Sequence, residues 1–98
     1  MAEQQSPAFQ FYFKDWRSSK RVSRISFKER GMYLELLIEQ WDKGPLPLLV
    51  AELAESIGAK ETDFKKSWPT LKSCFLQTAE GWVNERLERE RVKQKLRK

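Results

Sequence analysis

From Phe9 the chain alternates: Phe9, Phe11 and Phe13 stand against Gln10, Tyr12 and Lys14. That period of two predicts a half-buried amino-terminal strand, closed by a turn or one helical turn over Asp15–Ser19. The period then changes. "SFKE", Ser26 to Glu29, has the form of a capping box, in which the serine and the glutamate satisfy each other's orphan backbone donors. A helix from about Phe27 to Lys43 follows, with Phe27, Arg30, Leu34, Leu37, Ile38 and Trp41 on one face and Met32 and Leu36 on the other. A helix apolar over more than one stripe is central or shares a second contact surface. The Phe9–Phe13 strand is the expected cover for Met32 and Leu36, with a homodimer contact as the other possibility.

"KGPLPL", Lys43 to Leu48, stops this helix through Gly44 and Pro45 and sets an extended link. A short helix over about Leu49–Ile57 turns Leu49, Val50, Leu53 and Ile57 inward and Glu52 and Glu55 outward, with Gly58 past its end. A third helix begins near Glu61 with Phe64, Trp68 and Leu71 as its buried stripe, and Pro69 predicts a kink or a fresh start near Ser67. Phe75–Thr78 and Trp82–Glu85 form a hairpin around "AEG", read as a three-residue loop with Gly81 at its left-handed position. Asn84 is a fitting N-cap for a last helix. Its apolar residues Leu87, Val92 and Leu96 lie about 140° and then about 40° apart and form no stripe, so its final turns should fray.

Strand, helix, extended link, helix, helix, hairpin and basic helix give an α+β fold: a winged helix-turn-helix of three helices plus a β-hairpin wing, with an extra amino-terminal strand and a basic carboxy-terminal helix. The "PLP" link would be the short strand beside the wing. The expected division is a disordered leader over 1–8, the winged-helix domain over 9–85, and a basic helix or tail over 86–98.

Composition narrows the chemistry. With no His and a single Cys among 98 residues, no Cys/His zinc site, no intrachain disulfide and no Ser-His or Cys-His pair can be assembled. No metal or cofactor is expected, nor an enzyme. The amino terminus lacks the basic and apolar regions of a signal peptide, and the longest apolar run, "LPLLVA", is about six residues, far short of a membrane span. A lone Cys suits a reducing compartment, so the expected location is the cytoplasm of a bacterial or phage-infected cell, with no membrane partner.

The net charge of +5 is unevenly placed: residues 14–30 carry +5 and residues 84–98 carry +4, while 31–83 carry −3. Two basic ends around an acidic middle point to a polyanion.

"FYFKDW", the Gly31-Met32-Tyr33-Leu34 to Leu37 core of the long helix, "GPLP", Trp68 with Leu71, and the closing "GWVNERLERE" resemble the prophage-borne YdaU-like family over roughly residues 9–90. The resemblance implies a winged-helix domain at the amino end of phage replication-initiation-like proteins, similar in style to primosomal proteins that load a helicase, without established catalytic residues. Two departures are visible. Leu48-Leu49-Val50 replaces the acidic residues that usually cap the second helix, and the chain ends where relatives usually continue into a linker and a second domain.

A winged helix usually reads DNA with its third helix. Here the outer face carries Thr62, Lys66, Pro69, Thr70 and Ser73, flanked by Lys65 and Lys72, with none of the Arg, Asn or Gln side chains that make bidentate base contacts. The wing tip, Ala79 and Glu80, has no cation. The stronger candidates are Arg17, Lys20, Arg21 and Arg24 on an irregular exposed stretch interleaved with serines. There guanidinium forks, hydroxyls and the following helix's amino end suit phosphate oxygens. Lys65, Lys66, Arg89, Arg91 and Lys93 complete the expected nucleic-acid-binding set. The bland alternative is that these cations pair with the chain's own carboxylates: Glu35, Glu39 or Asp42 for the segment, Glu85, Glu88 and Glu90 for the tail. Trp41, Trp68 and Trp82 read as core, whereas Trp16 remains open as a stacking residue. Glu35 and Glu39 read as solvated. The function these features favour is a phosphate-gripping module for duplex or single-stranded DNA with low sequence specificity. The alternative is an adaptor binding a replication protein or host factor without touching DNA.

Overall fold

A computed structural model describes residues 7–96. It is a small α+β domain of six α-helices and one two-stranded antiparallel hairpin: α1 (Phe13–Ser18), α2 (Lys20–Arg24), α3 (Phe27–Lys43), α4 (Val50–Ser56), α5 (Glu61–Leu71), a 3₁₀ turn (Lys72–Cys74), β1 (Leu76–Thr78), β2 (Gly81–Val83) and α6 (Glu85–Leu96). Most of the expected leader over 1–8, together with Arg97 and Lys98, lies outside the described residues.

The capping box forms as its residues predict. The Glu29 amide donates to Ser26 Oγ at 3.1 Å and the Ser26 amide donates to Glu29 Oε1 at 3.2 Å. α3 then runs to Lys43, where Gly44 at φ 93° ends it. Its faces differ from the expected ones. Met32, Leu36 and Gln40 form one i, i+4 row buried against Leu46, Leu53, Phe64, Trp68 and Trp82, while Tyr33, Leu37 and Trp41 form the adjacent row toward Leu87 and Phe9. Met32 and Leu36 therefore lie at the centre of the domain, under neither an amino-terminal strand nor a homodimer contact. Phe27 and Ile38, expected inside, are exposed. Gln40 in the buried row and Phe27 and Ile38 outside it disguised the true stripe.

The amino-terminal strand does not form. Residues 8–12 are irregular and α1 begins at Phe13. A strand needs a partner edge. Here the rings find other uses: Phe9 packs on Trp41 (ring centroids 5.3 Å apart) and Phe11 on Trp16 (5.4 Å). The segment read as irregular between Arg17 and Arg24 is two short helices, the second capped by Ser19, whose Oγ accepts from the Val22 amide at 3.3 Å.

The "PLP" link does lie beside the hairpin. The Leu46 amide donates to the Trp82 carbonyl at 2.8 Å and the Trp82 amide returns to the Leu46 carbonyl at 2.9 Å. The approach is so close that a Cβ on Gly81 would overlap the Leu46 carbonyl oxygen. That closeness, with φ at 142°, is why glycine stands there. The hairpin loop is two residues, Ala79 and Glu80, since Thr78 pairs with Gly81. α4 begins at an N-cap, Leu49, whose side chain can accept nothing, as expected from its sequence. α5 does not restart at Ser67 but continues through Pro69 to Leu71. Pro69 is exposed, so the Lys65 carbonyl that loses its helical donor can turn to water.

Phe64, Trp68 and Leu71 line the core as expected, with Phe64 5.6 Å from Trp68 and Trp82 set edge-on to Trp68 at 5.2 Å. α6 is joined to α3 by Leu87, packed with Leu37 and Trp41, and by a buried polar clasp. Fully buried Gln40 accepts from the Asn84 amide at 2.8 Å and donates through Nε2 to the Asn84 carbonyl (3.3 Å) and Glu88 Oε1 (3.1 Å). Asn84 also caps α6, its Oδ1 accepting from the Leu87 amide at 3.1 Å. Beyond Leu87, Val92 is exposed.

Candidate nucleic-acid interface

Among the described residues six cations pair with carboxylates, whereas Lys14, Arg30, Lys60, Lys66, Lys72 and Arg89 do not, and neither do four others on α1 and α2. Lys28, Lys43, Lys65, Arg86, Arg91 and Lys93 each pair with a carboxylate, respectively Asp63 (3.5 Å), Glu39 (3.3 Å), Glu61 (3.7 Å), Asp15 (2.6 Å), Glu88 (3.2 Å) and Glu90 (4.0 Å). Arg17, Lys20, Arg21 and Arg24 are exposed and pair with no carboxylate among the described residues. The alternative, pairing with Glu35, Glu39 or Asp42, is not made by these four. Glu39 pairs with Lys43 on its own helix.

Local sequence explains their placement. The Ser19 cap starts α2 one residue after α1 ends, so the four cations lie on two consecutive short helices around that joint. Buried Val22 anchors α2 to the body, and Arg30 fixes its end by donating from Nε to the Val22 carbonyl at 2.8 Å and from Nη2 to the Ser23 carbonyl at 3.4 Å. Asp15, the acidic residue of α1, is drawn off toward α6 by Arg86, whose guanidinium also covers the Tyr12 ring at 4.4 Å.

The other expected site residues fare differently. Lys66 is exposed on α5, and Lys65 beside it is shared with Glu61. The outer positions Thr62, Lys66, Pro69 and Thr70 of α5 and Ser73 of the 3₁₀ turn after it are all exposed. Arg89 is exposed on α6 and Lys93 leans toward Glu90. Arg91 is withdrawn from solvent: its side chain is only 13% exposed, it pairs with Glu88, and its guanidinium lies against Gly44. It closes the polar clasp with Gln40 and presents no free fork to a phosphate. The start of α3 is also occupied, since Glu29 already supplies the anion its dipole favours.

Sequence reasoning missed the surface beside these cations. Two adjoining hollows, one lined by Phe11, Phe13, Lys14 and Ser18 and the other by Val22, Ser23, Phe27, Arg30 and Gly31, share Trp16, Arg17 and Leu34. They adjoin as the two parts of a trough bordered by α1, α2 and the first turns of α3. The clue was Phe27 at the first position of its helix, ahead of the part of α3 that the core covers.

Trp16 forms the joint of the trough, half-buried and stacked on Tyr33 (5.3 Å, 19° between planes). Tyr33 accepts from Asn84 Nδ2 at 3.3 Å. Burial, with the neighbouring Cys74 thiol adding to it, pushes the Tyr33 phenol up to about 12, against smaller opposing effects of Arg21 and the Asn84 hydrogen bond. Trp41, Trp68 and Trp82 are buried core residues, as their positions suggested.

A family model described as a protein of unknown function, DUF1376, matches residues 7–91. The chain belongs to this family. The match to DUF1376 takes in α1 through most of α6, so the trough, the unpaired cations and the polar clasp all lie within the family's span. No curated protein and no solved structure matches the chain. Among the described residues no helix is long and apolar enough to cross a membrane, and no group of three or more His, Cys, Asp or Glu could hold a metal ion.

Proposed function

We propose that this domain is a non-catalytic winged-helix module that holds DNA by its phosphates through α1 and α2, with low sequence specificity, in phage or prophage DNA replication. In this reading α3, α4 and α5 are the three helices, the hairpin is the wing, and the Leu46–Trp82 pairing is the short strand beside it. The observation that carries the proposal is that Arg17, Lys20, Arg21 and Arg24, together with Lys14 beside them, gather on two consecutive short helices, exposed and without carboxylate partners among the described residues. Uncompensated guanidinium and ammonium groups on two adjoining short helices suit phosphate oxygens. An α5 face without base-reading side chains fits a sequence-tolerant grip. Arg91 drops out of the proposed site, and Lys65, Lys66, Arg89 and Lys93 are secondary to it.

The test is anisotropy of a labelled oligonucleotide across a salt series. Four phosphate contacts predict a slope of log K against log salt of about −3 to −4. Replacing Arg17, Lys20, Arg21 and Arg24 by Ala should remove most of that slope while far-ultraviolet circular dichroism stays unchanged. An unaltered slope would refute the site. Absence of binding at low salt would favour the second reading, a protein adaptor for a replication protein or host factor, which is supported by the exposed Leu48 and Leu49 at the start of α4.

A further inference from the structure

The trough bordered by α1, α2 and α3 combines features that a phosphate grip alone does not need. Phe13 is 62% exposed and Phe27 82% exposed, on the walls of two hollows joined through Trp16, Arg17 and Leu34. Neither ring serves the core. Phe27 has one face covered by the Arg30 guanidinium, 4.6 Å from its centroid, and that guanidinium is itself tied to the Val22 and Ser23 carbonyls. The ring is thus backed by a fixed planar cation. The residues lining the trough include Lys14, Arg17 and Arg30 and no carboxylate among the described residues. Its cationic, aromatic lining calls for an occupant that is anionic and carries flat apolar faces.

We infer that the nucleic acid is taken as a single strand, with bases stacked on Phe13 and on the Arg30-backed ring of Phe27 and the backbone tracked by Lys14 and Arg17; this rests on the phosphate-binding reading above. A duplex keeps its base faces sealed against one another and would meet only the cations, leaving both rings wet. An unpaired strand offers a π-face at every nucleotide together with the phosphate, the pairing of features that aromatic rings set in a basic groove recognise. An acidic peptide would satisfy the charge but offers no regular succession of flat faces for two separated rings.

The test compares a mixed-sequence single-stranded oligodeoxynucleotide of about 15 nucleotides, roughly the longer site sizes of small binding folds, with the matching duplex, using the full chain at one salt concentration. The single strand should bind at least about tenfold tighter, and Phe13→Ala with Phe27→Ala together should cost it at least about tenfold while leaving duplex affinity unchanged. Trp16 emission should be quenched by the strand. Phe13→Trp and Phe27→Trp should restore or tighten binding, a readout that survives if the alanine variant folds poorly. Equal affinity for strand and duplex, or a phenylalanine variant within about twofold of the parent, overturns the inference; if the Arg17, Lys20, Arg21 and Arg24 variant still loses both ligands, the phosphate-binding reading stands without it. Binding of neither nucleic acid at low salt, with or without capture of an acidic peptide, removes both.

Discussion

Gly81→Ala is the sharpest test of how the hairpin meets the rest of the domain. The added methyl would overlap the Leu46 carbonyl oxygen and stand 3.2 Å from Pro45 Cβ, at a φ of 142°. A backbone carbonyl cannot swing aside as a side-chain tip would, so the link and β2 must part. Parting removes the two mutual hydrogen bonds of Leu46 and Trp82, about 1 kcal/mol each. It also uncovers Leu46, now 1% exposed, at roughly 2 kcal/mol, and the unfavourable φ adds about 1–2 kcal/mol. The expected loss is about 5 kcal/mol, comparable with the ~5–15 kcal/mol total of a domain this size. Urea unfolding followed by tryptophan emission should show a midpoint near zero denaturant or no native baseline. Two other glycines calibrate the measurement. Gly58 has positive φ with no heavy atom within 4 Å, so Gly58→Ala should cost only about 1–2 kcal/mol of strain. Gly31 sits mid-helix in open space, so Gly31→Ala should stabilise by up to about 1 kcal/mol. A Gly81→Ala variant that loses less than about 1 kcal/mol would refute the close approach.

Gln40→Met keeps the volume but orphans the Asn84 amide and carbonyl, and should cost about 2–4 kcal/mol in urea midpoint analysis. Gln40→Ala should cost more, because a cavity is added; a neutral Gln40→Met would show that the clasp contributes nothing. Because the folded pKa of Tyr33, about 12, lies above its ordinary value of 10.0, the unfolded chain gives up this proton first. Its contribution is therefore intact below pH 10 and lost as pH rises toward 12, and Tyr33→Phe should flatten that limb of a stability-against-pH curve.

The sequence made the helices legible where local chemistry was self-contained. Ser26 and Glu29 named the start of α3, Gly44 its end, and Asn84 the start of α6. Patterns that depended on distant partners were less readable. The alternation of Phe9, Phe11 and Phe13 looked like a strand because nothing in the sequence says that no sheet edge would receive it. The inner row of α3 was hidden by Gln40, whose polarity is satisfied by Asn84, forty-four residues away. Of the candidate site, the cations of α1 and α2 were found from charge alone. Arg91 was misplaced because its partner Glu88 and its seat against Gly44 are tertiary facts, and the trough went unseen because exposure of Phe27 depends on where the core stops covering α3.

Cys74, the chain's only cysteine, sits in the 3₁₀ turn that links α5 to β1, buried, its carbonyl held by Asn84 Nδ2 at 3.1 Å. Alkylation by a thiol reagent can therefore occur at one place and only when that joint breathes. The molecule carries its own stopwatch for opening, needing neither a label nor a mutation, and a ligand that steadied the native state would slow it measurably.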